Sequence, residues 1–196
     1  MARETSVVTP ERYASGFTYR DYLTQIKVNK NWFEQFNKSF QLKPEDAQFF
    51  RRAARQPQGP AKMLVLGEDW CPDVYRGMPV MAKIAEASDM EMRIFPRDSH
   101  MDIMNEFLKE EMYSSIPTVV FYTRDHQYIC HWIERPALAE REMEEIAAEV
   151  TRGLPADATE QQIRAATRPR NQERYPAWQQ ESVREIREML AKHLGL

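Results

Sequence analysis

Cysteine is scarce in this chain, which has only two cysteines, Cys71 and Cys130, among its 196 residues. Two cysteines cannot form a disulfide scaffold or a cysteine-rich zinc module. Glycine is also scarce, with six residues, which excludes a fibrous or low-complexity chain. Because the hydrophobic content of 42% is too high for intrinsic disorder, the sequence predicts a globular protein in a reducing compartment.

Long apolar runs are absent as well, since no stretch approaches the ~20 apolar residues of a membrane span. Residues 1–13 contain no apolar run long enough for a secretory signal. The net charge of -3 gives no reason to expect a nucleic-acid partner. We therefore expect a cytoplasmic protein whose partners include neither a membrane nor nucleic acid.

Charge divides the chain into three segments. Residues 1–60 contain ten Lys/Arg against six Asp/Glu, residues 61–153 ten against eighteen, and residues 154–196 seven against six. The acidic middle segment also holds both cysteines and every strand-like run, so we interpret it as the main domain. The basic residues 1–60 are predicted to form a helical extension that docks on its acidic surface.

The N-terminal segment has helical periodicity. Aromatic and apolar residues recur at helical spacing from Tyr19 to Phe40, after a Thr18–Asp21 capping pattern, and predict one amphipathic helix. A second short helix is predicted to begin at Pro44. The aromatic stripe is expected to be a packing surface, because any docked helix needs an apolar face.

The C-terminal segment, residues 154–196, is predicted to be a linker followed by an amphipathic helix. Pro169 and Pro176 interrupt a basic stretch, which we interpret as solvated linker. The arginines of this stretch are Arg164, Arg168, Arg170 and Arg174. The closing helix is expected to pack back on the domain or on a second subunit.

The middle segment has the predicted order β-α-β-α-β-β-α. Short apolar runs predict the strands, and apolar residues at a period of 3.6 predict the helices. The helix before the third strand is predicted from a Ser99–Asp102 capping box through Leu108. The predicted strands are Met63–Leu66, Met92–Phe95, Thr118–Tyr122 and Tyr128–Ile133. Parallel strands joined by helices, followed by an antiparallel pair, predict a mixed α/β sheet with an antiparallel edge.

Three local features accompany this order. Trp70-Cys71 stands where the first strand gives way to a helix, Pro79 lies inside that helix, and Ile116-Pro117-Thr118 opens the third strand. With these features, residues 61–153 resemble the thioredoxin family, in a single-cysteine bacterial subgroup with an N-terminal helical extension. The resemblance implies a thioredoxin fold with helical extensions at both ends and with Cys71 as the attacking thiol.

The same resemblance assigns roles around the cysteine. It implies that Pro117 is a cis-proline facing Cys71, and that the backbone of Ile116 is free to pair with a peptide or thiol substrate. Trp70 is expected to shield the thiolate, to line a groove or to have a half-buried packing role. Together with Pro72 and Asp73, Trp70 supports the catalytic cysteine, which makes these five residues and Cys71 the candidate site.

Physical chemistry gives an independent reason for a cysteine here. The N-terminus of a helix presents unpaired N–H groups and a positive dipole end, which lower the pKa of a thiol. Asp73 opposes this effect if its charge is close, so moderate activation of Cys71 is expected; the alternative is an inert, buried small hydrophobe. Asp69 and Asp73 bracket the cysteine and are candidate general bases, although we favour helix capping for both.

Two departures from the family limit the chemistry. Val74 stands where the second cysteine of Cys-x-x-Cys is expected, and Val65 where thioredoxins carry a buried aspartate. Without a resolving thiol, the site cannot close an intramolecular disulfide. Cys130, in the predicted last strand, is expected to lie too far from Cys71 to replace it.

Two functional hypotheses follow. The first is a single-cysteine thiol-disulfide oxidoreductase, in which Cys71 forms a mixed disulfide with a protein or low-molecular-weight disulfide and is released by an external thiol such as glutathione or bacillithiol. The alternative is a redox-inactive thioredoxin-like module that binds a protein or peptide. A peroxidase is disfavoured, because Glu68 occupies the place of the threonine or serine of such sites. No cofactor or metal is expected, since the four histidines show no metal-ligand spacing. A monomer and a homodimer are both compatible with the sequence.

Overall fold

The computed structural model describes residues 6–196. The expectation that residues 1–13 carry no secretory signal falls in part on residues 1–5, which lie outside the described residues. Within the described part of the chain, no helix has the length and apolarity that crossing a membrane requires.

The core is a four-stranded mixed sheet. The strands are β1 Lys62–Gly67, β2 Glu91–Pro96, β3 Thr118–Tyr122 and β4 Tyr128–Ile133, in the spatial order β2-β1-β3-β4. Strand β1 pairs parallel with β2 and antiparallel with β3, and β3 pairs antiparallel with β4. The mixed sheet and its antiparallel edge are confirmed, although the antiparallel part begins one strand earlier, at the pairing of β1 with β3.

Helices cover both faces of this sheet and form both ends of the described chain. Their bounds are α1 Pro10–Ala14, α2 Tyr19–Gln25, α3 Lys30–Ser39, α4 Pro44–Ala54, α5 Pro72–Ser88, α6 Met101–Met104, α7 Ala137–Arg152 and α8 Glu160–Leu194. Helix α5 lies close to β1, because a Cβ atom on Gly67 would come within 2.8 Å of Val74 Cγ1. This close approach fixes the start of α5 against the end of β1.

The predicted helix from Tyr19 to Phe40 is two helices, so that prediction was wrong in its middle. The predicted cap is present, since the Thr18 side chain accepts from the Asp21 N–H. Helix α2 ends at Gln25, and Asn29 adopts a left-handed φ of 58° before α3 begins. The break allows the α2–α3 loop to contact the loop that carries Cys71.

The predicted helix from Ser99 to Leu108 was also too long, because α6 ends at Met104. Ser99 ends a short 3-10 turn, Arg97–Ser99, and does not cap α6. Further along, the N–H groups of Lys109 and Tyr113 each donate to the other's carbonyl at 2.9 Å. Residues 105–117 therefore turn back toward β3 as an irregular loop.

The linker predicted around Pro169 and Pro176 was wrong, because both prolines lie inside the 35-residue helix α8. Thr159 and Gln162 form a capping box that starts this helix. An interior proline costs a helix ~3 kcal/mol, so packing must offset the cost of two. Side chains on the C-terminal half of α8 provide this packing. The buried ones include Trp178, Val183, Ile186 and Leu190.

An aromatic cluster joins the two ends of the chain to α5. The ring of Tyr75, on α5, stacks on Trp32 and Phe36 of α3, with centroids 5.9 and 6.4 Å away. The Tyr175 ring of α8 meets Phe36 edge to face at 5.8 Å. Tyr75 is fully buried beneath these rings, which confirms that the N-terminal stripe is packing surface.

Candidate active site

Cys71 lies between β1 and α5, as predicted. It is the residue that immediately precedes the first turn of α5, and its carbonyl accepts from the N–H groups of Val74 and Tyr75. The side chain is half-buried, and its Sγ lies 3.8 Å from the carbonyl oxygen of Ile116. The structure thus brings the predicted cysteine and the predicted substrate-binding residue into contact.

The bond between Ile116 and Pro117 is cis, as the resemblance implied. Pro117 also packs toward α5, because a Cβ placed on Gly77 would lie 3.4 Å from Pro117 Cγ. Within residues 6–196, the Ile116 N–H donates to no acceptor, and the Ile116 carbonyl receives only the Cys71 thiol. Beside the cysteine, both backbone groups of Ile116 are thus free of pairing with the sheet.

The pKa of the Cys71 thiol is raised from its ordinary value, so the expected moderate activation was wrong. Burial of the thiol is the main cause, and the negative charge of Asp73 adds to it. The N–H groups of Val74 and Asp73 and the charge of Arg135 act in the opposite direction but do not compensate. Desolvation of the thiolate therefore outweighs the favourable field of the helix N-terminus.

Asp73 is held by two arginines. Its carboxylate lies 2.5 Å from Arg76, one turn further along α5, and 3.1 Å from Arg135, in the loop after β4. All three side chains are largely buried, since the most exposed of them, Arg135, keeps 20% of its side-chain surface. Within residues 6–196, the Asp73 carboxylate pairs with these two arginines and accepts from no N–H at the start of α5, so the favoured capping role was wrong for this residue.

Asp69 does not have the helix-capping role that was expected for it. Its carboxylate accepts from the N–H groups of Lys27 and Val28, at 2.7 and 3.1 Å, and its carbonyl accepts from the Asn29 side chain. Asp69 therefore binds the α2–α3 loop rather than capping α5. This contact ties the N-terminal helices to the residue two positions before Cys71.

Trp70 and Pro72 flank the cysteine on the surface. The Trp70 ring is 50% exposed and lies under the guanidinium of Arg97, whose Cζ is 5.3 Å from the ring centroid. Arg97 also donates to the Ser114 carbonyl at 3.0 Å, which connects Trp70 to the loop before Ile116. Pro72 occupies the first position of α5, where its lack of an N–H costs nothing.

The second cysteine lies elsewhere in the sheet. Cys130 is buried on β4 opposite Phe121, and burial raises its pKa to about 12. Both cysteines are free thiols. Val74 and Val65 are fully buried. Because both side chains are apolar, neither position gives the site a second polar group. In the part of the chain that the structure describes, no group of three His, Cys, Asp or Glu side chains could hold a metal ion.

Sequence reasoning missed the two arginines that neutralise Asp73. Arg76 carried a usable signal, since an acid and a base three residues apart on a helix face each other. Arg135 carried none, because it lies 62 positions from Asp73 and comes close only through the fold. Gly77 was also missed, although it lies beside Pro117.

Comparison with known proteins agrees with this fold. A family model described as thioredoxin matches residues 16–150. A Pseudomonas aeruginosa protein of unknown function superposes with a TM-score of 0.63 at 15% identity, covering 94% of this chain and 98% of its own. An HIV epitope scaffold superposes with a TM-score of 0.65 at 14% identity, covering 96% and 99%. At these identities the likeness establishes the fold alone. No curated protein sequence matches the chain.

Proposed function

The chain belongs to the thioredoxin family, and from that membership we propose that it exchanges disulfides through Cys71 as a single attacking thiol. The observation that carries the proposal is the 3.8 Å contact between Cys71 Sγ and the Ile116 carbonyl. An extended peptide that paired with the free backbone of Ile116 would place its own disulfide beside this sulfur.

The proposed reaction has two steps. The Cys71 thiolate attacks one sulfur of a substrate disulfide, so that a Cys71–substrate disulfide forms and the other substrate sulfur leaves as a thiolate. An external thiolate then attacks the substrate sulfur of that mixed disulfide, and Cys71 leaves as a thiolate. The substrate is thereby joined to the external thiol, and the two electrons of each broken S–S bond depart with the leaving sulfur.

The raised pKa of Cys71 is expected to slow both steps. The thiolate is a minor species near neutral pH, which slows the attack, although each thiolate is more nucleophilic than one of low pKa. A thiolate of high pKa is also a poorer leaving group. The mixed disulfide on Cys71 is therefore expected to be long-lived and to depend on the external thiol for release.

The alternative function is a redox-inactive module that binds an extended peptide at the same backbone. The raised pKa of Cys71 is the observation that favours it, because a protonated thiol beside Ile116 does not attack a disulfide. In this alternative, the half-exposed Trp70 and the free Ile116 groups bind the partner without chemistry.

The test is to trap the mixed disulfide. The protein is incubated with a peptide disulfide at pH 8.5, quenched in acid and analysed by mass spectrometry without reduction. We expect one peptide on Cys71 in the wild type and in Cys130→Ser, and none in Cys71→Ser. Bound peptide without any covalent adduct would instead establish the binding module.

A further inference from the structure

A pocket rich in arginine lies beside the candidate site. It has a volume of about 380 Å³ and is lined by the start of α5, the loop after β4, α7 and α8. Four guanidinium groups line it, from Arg76, Arg135, Arg164 and Arg168, against the single carboxylate of Asp73. We call it the arginine pocket. Two carboxylates outside the lining, Glu134 and Glu160, pair with Arg135 and Arg164, so an excess of one positive charge remains. This excess favours an anionic occupant.

Not all of this charge is used within the fold. Arg76 and Arg135 share Asp73, and Arg135 also pairs with its neighbour Glu134. Arg164 lies 3.2 Å from Glu160 on the exposed side of α8. The guanidinium of Arg168 has no ion-pair partner among residues 6–196. It stands at the rim of the pocket, exposed to solvent and free to receive a carboxylate.

Two buried polar atoms in the lining, Arg135 Nε and Asn171 Oδ1, make no hydrogen bond within residues 6–196. A buried polar atom without a partner is costly, so each one indicates a missing group. Arg135 Nε is a donor and requires an acceptor, whereas Asn171 Oδ1 is an acceptor and requires a donor.

The pocket is also larger and less polar than a simple inorganic anion needs. Its volume is within the range of sites for small organic ligands. Met143, Tyr175 and Trp178 contribute apolar surface to the lining. An occupant that satisfies the pocket therefore has an acidic group, an N–H donor and an organic body, which together are the properties of a short acidic peptide.

The location indicates what such a peptide does. Pro72 and Asp73, which directly follow Cys71, form one wall of the pocket. We propose that the arginine pocket binds a small acidic peptide thiol, with its carboxylate on Arg168 and Arg135 and an N–H on Asn171, as the external thiol that releases the mixed disulfide. This assignment rests on the proposed disulfide exchange, and it identifies the chemical class of the second reactant.

Binding is tested apart from chemistry with S-methylglutathione, an acidic tripeptide whose sulfur cannot react. Isothermal titration is expected to show binding to the wild type and to Cys71→Ser. Arg168→Gln should bind about tenfold more weakly, since it removes a charged hydrogen-bond donor. Arg20→Gln, which removes an exposed charge from α2 outside the pocket, is the matched control and should bind like the wild type.

A kinetic experiment compares how fast glutathione and uncharged 2-mercaptoethanol release a trapped peptide from Cys71. Arg168→Gln is expected to slow release by glutathione about tenfold and to leave release by 2-mercaptoethanol unchanged. Equal slowing with both thiols, no binding of S-methylglutathione, or equally tight binding of inorganic phosphate would overturn the pocket assignment alone. Failure to form any adduct on Cys71 would overturn the proposed function, and S-methylglutathione binding would still be measurable.

Discussion

Arg135 lies 3.1 Å from Asp73, so the loop after β4 places a positive charge on a carboxylate in the first turn of α5. That carboxylate raises the pKa of the Cys71 thiol, while Arg135 lowers it. The ion pair therefore moderates the effect of Asp73 on the cysteine. Four predictions test this account of the site and its surroundings.

The first prediction concerns the pH dependence of Cys71. Because burial and Asp73 favour the protonated thiol, the pKa is raised and the thiolate fraction grows only at alkaline pH. The alkylation rate of folded Cys130→Ser with iodoacetamide should have its midpoint above ~8.5, the value of an unperturbed cysteine. The same protein in denaturant is the control and should titrate near that value. A folded midpoint below the denatured one would contradict the burial argument.

Substitution of Asp73 should separate the effect of its charge on the pKa of Cys71 from the effect of burial. Asp73→Asn removes a negative charge that raises the pKa of Cys71, so the alkylation midpoint should move to lower pH. The same change leaves Arg76 without a carboxylate among the described residues and leaves Arg135 with Glu134 alone. Loss of one partner of a buried pair costs about 3–5 kcal/mol of stability. Urea unfolding measures this cost. Asp125→Asn, in the exposed turn between β3 and β4, is the control and should change neither the alkylation midpoint nor the free energy of unfolding.

Asp69 should matter for the attachment of the N-terminal helices. Asp69→Ala removes the acceptor of two N–H groups, those of Lys27 and Val28, and should lower the free energy of unfolding by about 1–3 kcal/mol. Hydrogen exchange at these two amides should accelerate. Asp125→Ala, at an exposed position, should stay within about 0.5 kcal/mol of the wild type. Unchanged exchange in Asp69→Ala would show that the loop is held by other contacts.

A second cysteine should convert the site into a dithiol. Val74 is buried three residues after Cys71, so Val74→Cys restores the Cys-x-x-Cys pattern at a cost of about 0.5–1.5 kcal/mol. Mild oxidation should then lower the mass by two hydrogens and protect both thiols from alkylation. Val80→Cys, equally buried further along α5, is the control and should form no bond to Cys71. Alkylation of Cys71 after mild oxidation of Val74→Cys would contradict the geometry proposed for the helix start.

The sequence predicted the parts of this molecule that depend on local pattern. The four strands, the position of Cys71 before α5 and the capping of α2 by Thr18 follow from hydrophobic period and helix-start chemistry. The cis bond before Pro117 followed from the family resemblance. Each of these features is determined by neighbours within a few residues or by motif spacing.

The features that the sequence did not predict depend on contacts between distant positions. The break after α2 is held by Asp69, about forty residues further along the chain. The pKa of Cys71 is decided by burial, which the helix-dipole argument alone could not include. The prolines of α8 predict a break in the helix, because each one destabilises a helix locally. The buried face of α8 around Trp178, which offsets this cost, depends on contacts with distant parts of the chain.

The aromatic cluster at Tyr75 has a consequence for how such a chain can evolve. Tyr75 lies four residues after Cys71 and contacts Trp32 and Phe36, while Tyr175 closes the cluster from α8. Loss of either extension by recombination would therefore expose the Tyr75 ring near the start of α5. Positions 32, 36, 75 and 175 are expected to change together among descendants of one ancestor, so that the extensions and α5 are inherited as one unit.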